Sequence, residues 1–298
     1  MQNHDMSQFR VAGVGEVLWD MLPSGRRLGG APANFACHAA ALGARGALVS
    51  AVGDDADGAD ILRELTEFGV DVTQVQKDAR HATGLVRVSL DAVGKPTYAI
   101  ELERAWDFLQ WTPTLGEFLS GLQALCFGSL GRRHAVASAT IARCLQSVPD
   151  WCLRVCDINL RQDFYNRQIL EDSLRAADVL KINDEELPVL AGVFNLSGDE
   201  AAQMKSLLQR FDLRLLALTR GSRGSLLLDA TGRDFRPADP AHVVDTVGAG
   251  DAFNAALTLG LLQGLTLAEI HRRAGRLAAY VCSQPGAVPA LPAGFWER

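Results

Sequence analysis

The sequence predicts an α/β protein: a mainly parallel β-sheet with helices on both faces and a small β accessory over one edge. Two observations predict this. Short, apolar, β-rich runs alternate with segments of helical period along most of the 298 residues, and strands separated by helical crossovers imply parallel pairing. One stretch breaks that rhythm with two strand-like runs and no helix between them, so it cannot be a crossover.

In chain order, strands are expected at Val11–Leu18, Ala47–Val52, Leu122–Phe127, Leu153–Ile158, Val179–Ile182, Leu213–Leu218 and Ser225–Leu228. Helices are expected at Ala33–Leu42, Ala59–Phe68, Ala135–Leu145, Leu170–Ala177 and Ala201–Phe211, then at Gly248–Leu262 and Leu267–Cys282. Right-handed crossovers would place them on both faces. The exception runs Thr83–Leu90 and Thr97–Glu101, with the Gly-containing Asp91–Lys95 between them, the pattern of a hairpin. With the segment around Val17–Leu28 it predicts an accessory sheet over the carboxyl edge, where α/β proteins bind ligands. The whole chain, 1–298, is expected to form one domain.

Hydrophobic residues make up 48% and charged residues 21%, which argues against disorder. The net charge of −6 comes without a basic block, so no nucleic-acid partner is expected. Apolar stretches are interrupted well short of a membrane span, and the polar start MQNHDMSQ carries no secretory pattern. The six cysteines show neither CxxC nor zinc spacing, which suits reduced thiols in a cytoplasmic protein. His38 and His134 read as packing or surface residues.

The strongest chemical signal is Asp245-Thr-Val-Gly-Ala-Gly-Asp-Ala-Phe253, running into an apolar helical pattern. Glycines suit a first turn. The N–H groups of Gly248, Ala249, Gly250 and Asp251 would then point out of the helix start and, with its dipole, form an anion site. Asp251 is expected to stay ionised there. A carboxylate beside an anion hole fits phosphoryl transfer, although local spacing alone fits a helix-start Asp equally well. The second signal is Gly29-Gly-Ala-Pro-Ala-Asn34 before an Ala-rich helix. Pro32 suits the first turn, and Asn34 offers donor and acceptor to a polyol. Asp20 follows the first strand, where a carboxylate can accept from vicinal hydroxyls. Asp157-Ile-Asn-Leu-Arg161, Asn183-Asp-Glu-Glu186 and Thr219-Arg-Gly-Ser-Arg-Gly224 lie at other strand ends. P-loop, GxGxxG, HRD and GxSxG patterns do not occur.

Together these segments resemble the ribokinase-like (PfkB) carbohydrate kinases over about residues 9–292. DTVGAGDAF is similar to the family's C-terminal signature and GGAPANFACHAAALG to its N-terminal one, with NxxE at Asn183–Glu186 and TxGxxG at Thr219–Gly224 between them. The resemblance implies a three-layer α/β/α fold with a small β-lid, formed from about 17–28 and 83–104. It implies ATP and Mg²⁺, with K⁺ beside the anion hole. Asp251 would be the base, and the Gly248, Ala249, Gly250 and Asp251 amides the anion hole. Asp20, Gly30, Asn34, Arg104 and Arg161 would hold the sugar. Asn183, Thr219, Gly221 and Gly224 would line the nucleotide site. Glu186 would reach Mg²⁺ through water, and Asp245 with the carbonyls of Val247 and Gly286 would hold K⁺. Small-molecule sugar and ATP are the implied partners, with a homodimer as a possible assembly.

GE-x-L-x-D, GGAPAN, D-x-N-L-R and Glu103-Arg-Ala-Trp-Asp107 are similar to the fructokinase branch. Related 2-keto-3-deoxygluconate kinases share much of this pattern, and Arg87, Arg104 and Arg161 would supply the cationic contacts their substrate needs. A non-catalytic sugar-binding regulator on the same fold is the alternative of a different class.

Overall fold

The computed structural model describes residues 6–22, 25–90 and 96–296, so the expected turn at Asp91–Lys95 lies outside the described residues. Strands β1 (Arg10–Val14), β4 (Arg45–Gly53), β5 (Asp71–Asp78), β8 (Ala124–Phe127), β9 (Leu153–Asp157), β10 (Val179–Asn183), β11 (Leu215–Thr219), β12 (Ser225–Asp229) and β13 (Arg233–Arg236) form one sheet. Its order is β13-β12-β11-β10-β9-β8-β1-β4-β5. All pairs from β11 to β5 are parallel, while β12 and β13 are antiparallel. A second sheet has the order β3-β2-β6-β7, from β2 (Leu18–Leu22), β3 (Gly25–Gly29), β6 (Gly84–Leu90) and β7 (Pro96–Ile100).

The helices are α1 (Ala31–Ala41), α2 (Ala56–Glu67), α3 (Pro113–Leu119), α4 (Ala135–Ser147), α5 (Arg167–Ala176), α6 (Glu186–Phe194), α7 (Glu200–Arg210), α8 (Ala249–Leu262) and α9 (Leu267–Cys282). Strand side chains alternate between faces. Leu125, Phe127, Leu180 and Leu216 join a core with α4, α5 and α7. Ala124, Cys126, Val179 and Leu215 join the opposite core with Phe35 of α1, Phe253 of α8 and Leu277 of α9. A third core sets Trp19 and Leu28 of the second sheet against α1, α2 and β4. Burying one such side chain contributes about 1.5–3 kcal/mol.

The expected strand Val11–Leu18 divides at Gly15–Val17, where the chain leaves the main sheet for the second. Both halves are buried, so the apolar run is continuous and periodicity cannot mark the crossing. β5 carries alternating exposed positions in DVTQVQKD, an edge strand with no apolar run to announce it. α3, α6 and β13 were also absent from the expected elements. The second sheet is tied down by Trp19, whose Nε1 donates to the Asp57 carbonyl at 3.1 Å, and by Arg26 ion pairs to Asp57 and Asp60. All six cysteines are free; only Cys282 is not buried. Burial pushes the Cys37, Cys144 and Cys152 thiols up to about 12.

Candidate active site at the carboxyl edge of the sheet

Alternation decides which strand-end residues meet α8. In β9, β10 and β11, Val155, Val179 and Ala217 face the α8 core, so Asp157, Lys181 and Thr219, each an even step further, share that face. Lys181 and Asp157 are register partners, and Lys181 Nζ lies 3.0 Å from both Asp157 oxygens, with both side chains buried. Burial opposes the Lys181 charge, but Asp157, Glu186 and Asp251 outweigh it and hold its pKa above the ordinary value. The ammonium borders the helix start, since a Cβ on Gly250 would lie 2.9 Å from Lys181 Nζ.

α8 begins at Gly248, left-handed at φ 78°. A side chain there would put Cβ 2.3 Å from the Ala287 carbonyl oxygen, so only glycine fits. Asp251 sits in the first turn and accepts from Asn34 Nδ2 at 2.7 Å. Burial, with the Asp157 charge added, pushes its pKa up to about 6 against the pull of Lys181, Asn34 and Arg161. The expected ionised state therefore holds above that pH and is lost below it; burial wins over the helix dipole.

The other side of Asp251 faces the second sheet. Gly30 caps α1 at φ 108°, and a Cβ would meet the Glu16 carbonyl oxygen at 2.5 Å. That approach delivers Asn34 to Asp251; Asn34 is buried and its Oδ1 has no partner among the described residues. Burial raises Asp20 to about 6, offset in part by Arg161. Arg161 donates to the Leu160 carbonyl at 3.0 Å, and its charge reaches Glu16, Asp20 and Asp251. Arg104 differs from expectation: its guanidinium pairs with Glu101, three residues back, and Arg87 pairs with the same Glu101 at 2.7 Å. Both arginines are thus committed within the second sheet's margin.

Beyond α8 lies a cavity of about 670 Å³. Thr219, Gly221 and Gly224 line it together with Ala249 and Gly250. Pro240, Ala241, Val243, Phe253, Ala278 and Ala279 make much of the wall apolar, as suits a heterocyclic ligand. Asn183 is beside it, register partner of Thr219. Its Oδ1 accepts from the N–H groups of Glu185 and Glu186 at 2.9 Å. Both oxygens of buried Glu186 accept backbone N–H groups, from Leu160 at 2.9 Å and Asn183 at 2.8 Å, so it would reach a cation through water.

The residues assigned to K⁺ come together around the Asp245 carboxylate. Asp245 Oδ2 accepts from Arg27 at 2.9 Å and from the Gly286 N–H at 3.3 Å, and Oδ1 accepts from the Val247 N–H at 3.1 Å. Gly286 and Val247 thus turn their N–H groups to this carboxylate, and Arg27 pairs with it.

Two residues escaped the candidate set. Lys181 is a lone charge inside the apolar strand Val179-Leu-Lys-Ile-Asn183, a type rarely buried unless paired; that was a readable signal. Glu16 is buried at the β1–β2 break with Oε2 unpartnered among the described residues. Burial pushes it up to about 7, and nothing local announced it.

A cavity of about 670 Å³ meets the start of α8, where buried Asp251 hydrogen-bonds Asn34, an arrangement compatible with a small-molecule kinase. The profile of the pfkB family carbohydrate kinases matches residues 24–294. The chain belongs to that family, and with it to the ATP-dependent sugar kinases. It is 30% identical over 300 residues to a fructokinase of Escherichia coli, covering 94% of this chain and 95% of that one. Identity to the fructokinase of Klebsiella pneumoniae is 32% over 296 residues, covering 94% and 95%. An uncharacterized sugar kinase from Pyrococcus horikoshii in complex with ATP superposes with a TM-score of 0.78 at 27% identity, over 93% of this chain and 94% of that one. The fructokinase of Xylella fastidiosa with bound ATP reaches a TM-score of 0.82 at 23% identity over 96% and 95%, a likeness of fold. No helix among the described residues is long and apolar enough to cross a membrane.

Proposed function

We propose that the chain transfers the γ-phosphate of ATP to the terminal hydroxymethyl of a neutral ketohexose, D-fructose first, giving fructose 6-phosphate. The observation that carries this is the Asn34–Asp251 hydrogen bond of 2.7 Å, which joins the polar pocket to the helix-start carboxylate. Asp251 takes the hydroxyl proton as the oxygen attacks phosphorus. The Gly248, Ala249, Gly250 and Asp251 amides hold the moving phosphoryl group, and Lys181 adds positive potential behind them. Mg²⁺ on the nucleotide neutralises phosphate charge; Asn183 and Glu186 stand where they would orient its water shell. Thr219, Gly221 and Gly224 line the nucleotide side. Asp20, Gly30, Asn34 and Arg161 hold the acceptor, and the second sheet closes over it, excluding water.

A sugar acid is the second reading, favoured by Arg161. Two observations weigh against it: Arg87 and Arg104 already pair with Glu101, and Asp20 with Glu16 adds buried acid to the pocket. The deciding measurement is kcat/KM by coupled ADP release for fructose, 2-keto-3-deoxygluconate, ribose and adenosine. Fructose is expected to lead. A tenfold advantage for the keto acid, about 1.4 kcal/mol, overturns the assignment.

A further inference from the structure

Three side chains from three elements form a hydrogen-bonded row behind the wall of the cavity. His271 of α9 places Nδ1 2.6 Å from Asp234 Oδ2 of β13. Its Nε2 lies 2.7 Å from Ser225 Oγ at the start of β12. Ser225 lines the cavity beside Gly224, directly across from Thr219 in the strand register. Phe253, another lining residue, meets the imidazole edge-on, with centroids 6.2 Å apart, and fixes the ring plane. The phosphoryl-transfer chemistry above uses none of this row.

The row dictates which way its protons point. A neutral imidazole carries one N–H. Asp234, as a carboxylate, can only accept, so the proton sits on Nδ1. Nε2 is then a bare lone pair, and the Ser225 O–H must donate to it. Burial holds His271 below its ordinary pKa despite Asp234 and Asp239, with Arg236 acting in the same direction as burial, so the ring is neutral. A free serine hydroxyl rotates and serves as donor or acceptor; this one has spent its proton inside the wall. What remains for any group reaching it from the cavity is its lone pairs.

We propose that Ser225 is a specificity-determining residue for the phosphate donor, an acceptor oriented by His271 and Asp234 that reads a hydrogen-bond donor on the nucleoside. The donor is the exocyclic amine of adenine or a ribose hydroxyl, one chemistry with two sources. The proposal rests on the cavity being the nucleotide site.

The test is kcat/KM at saturating acceptor for ATP, ITP, 2′-deoxy-ATP and 3′-deoxy-ATP, with wild type, Ser225→Ala and Asp234→Asn. Ser225→Ala is expected to lower the value for ATP about tenfold. It should change by less than about twofold for the analogue lacking the read group: ITP if the amine is read, a deoxynucleotide if the hydroxyl is. Asp234→Asn frees the imidazole proton to occupy Nε2, which returns the serine proton to the cavity, so the ratio of ATP to that same analogue should fall in parallel. Asp234 is 28% exposed in its side chain, so this variant keeps the cavity wall. An equal loss for all four nucleotides in both variants, or no loss in either, overturns the proposal. Ala279→Trp, which fills the cavity, separates the two levels: unchanged KM for ATP would remove the nucleotide from this cavity and take the proposal with it.

Discussion

The two sides of the α8 start are built from different materials. On the α9 side the cavity of about 670 Å³ is open, with small residues, Pro240, Val243 and Phe253 in a largely apolar wall. On the second-sheet side polar and ionisable groups gather: Glu16, Asp20, Asn34 and the Arg161 charge. The open side needs little rearrangement to take a flat heterocycle. The second-sheet side holds carboxyls raised to about 6 in Asp20 and about 7 in Glu16, and an Asn34 oxygen without a partner among the described residues. Groups left short of partners favour a ligand that brings hydroxyls.

The largest expected effect breaks the junction between them. Asp251→Asn should lower kcat by about 10²–10⁴-fold with KM for ATP nearly unchanged; a loss under tenfold in a saturating coupled assay would deny Asp251 the role of base. The same variant should be more stable at pH 8. Asp251 has a folded pKa of about 6 against 3.8 unfolded, so its stabilising contribution is present below the unfolded value and lost as pH rises through 6. Removing the charge then gains on the order of 3 kcal/mol at pH 8, fading toward pH 4 in urea melts.

Next comes the nucleotide side's buried pair. Lys181→Met leaves Asp157 buried without its cation, which should cost roughly 3–5 kcal/mol in chemical denaturation; Lys181→Met with Asp157→Leu should recover much of it. Third, kcat/KM for the acceptor should fall about tenfold per pH unit below pH 6, as Asp251 protonates, and stay flat to pH 8. A profile flat to pH 5 would place the base elsewhere. The smallest effect belongs to the bridge between second sheet and anion-hole loop. Arg27 and Asp245 are 44% and 20% exposed in their side chains, so Arg27→Gln should cost under about 1 kcal/mol of stability, measurable as a small shift in the denaturation midpoint.

What could be read in advance was local. Gly248 to Asp251 and Gly29 to Asn34 announce themselves because backbone geometry at a helix start tolerates few residues. The parallel sheet followed from alternation of periods. What could not be read depends on partners distant in sequence. Arg27 and Asp245 are 218 positions apart, so nothing in the signature around Asp245 showed its carboxylate occupied. The division of Val11–Leu18 between two sheets was hidden because both halves are apolar for different reasons. Lys181 was visible as an oddity, but its use required the β9–β10 register.

The six thiols have a consequence for how the molecule could be watched. Cys37, Cys126, Cys144, Cys152 and Cys156 are sealed in the cores, with Cys37, Cys144 and Cys152 raised to about 12. Thiolate is scarce at neutral pH, and reagents must wait for the interior to open. Cys282 is half-buried and lines the cavity. The native chain therefore carries two clocks for an alkylating probe: a slow one that records global opening, and a faster one, at a single sulfur, that stops when the cavity is filled.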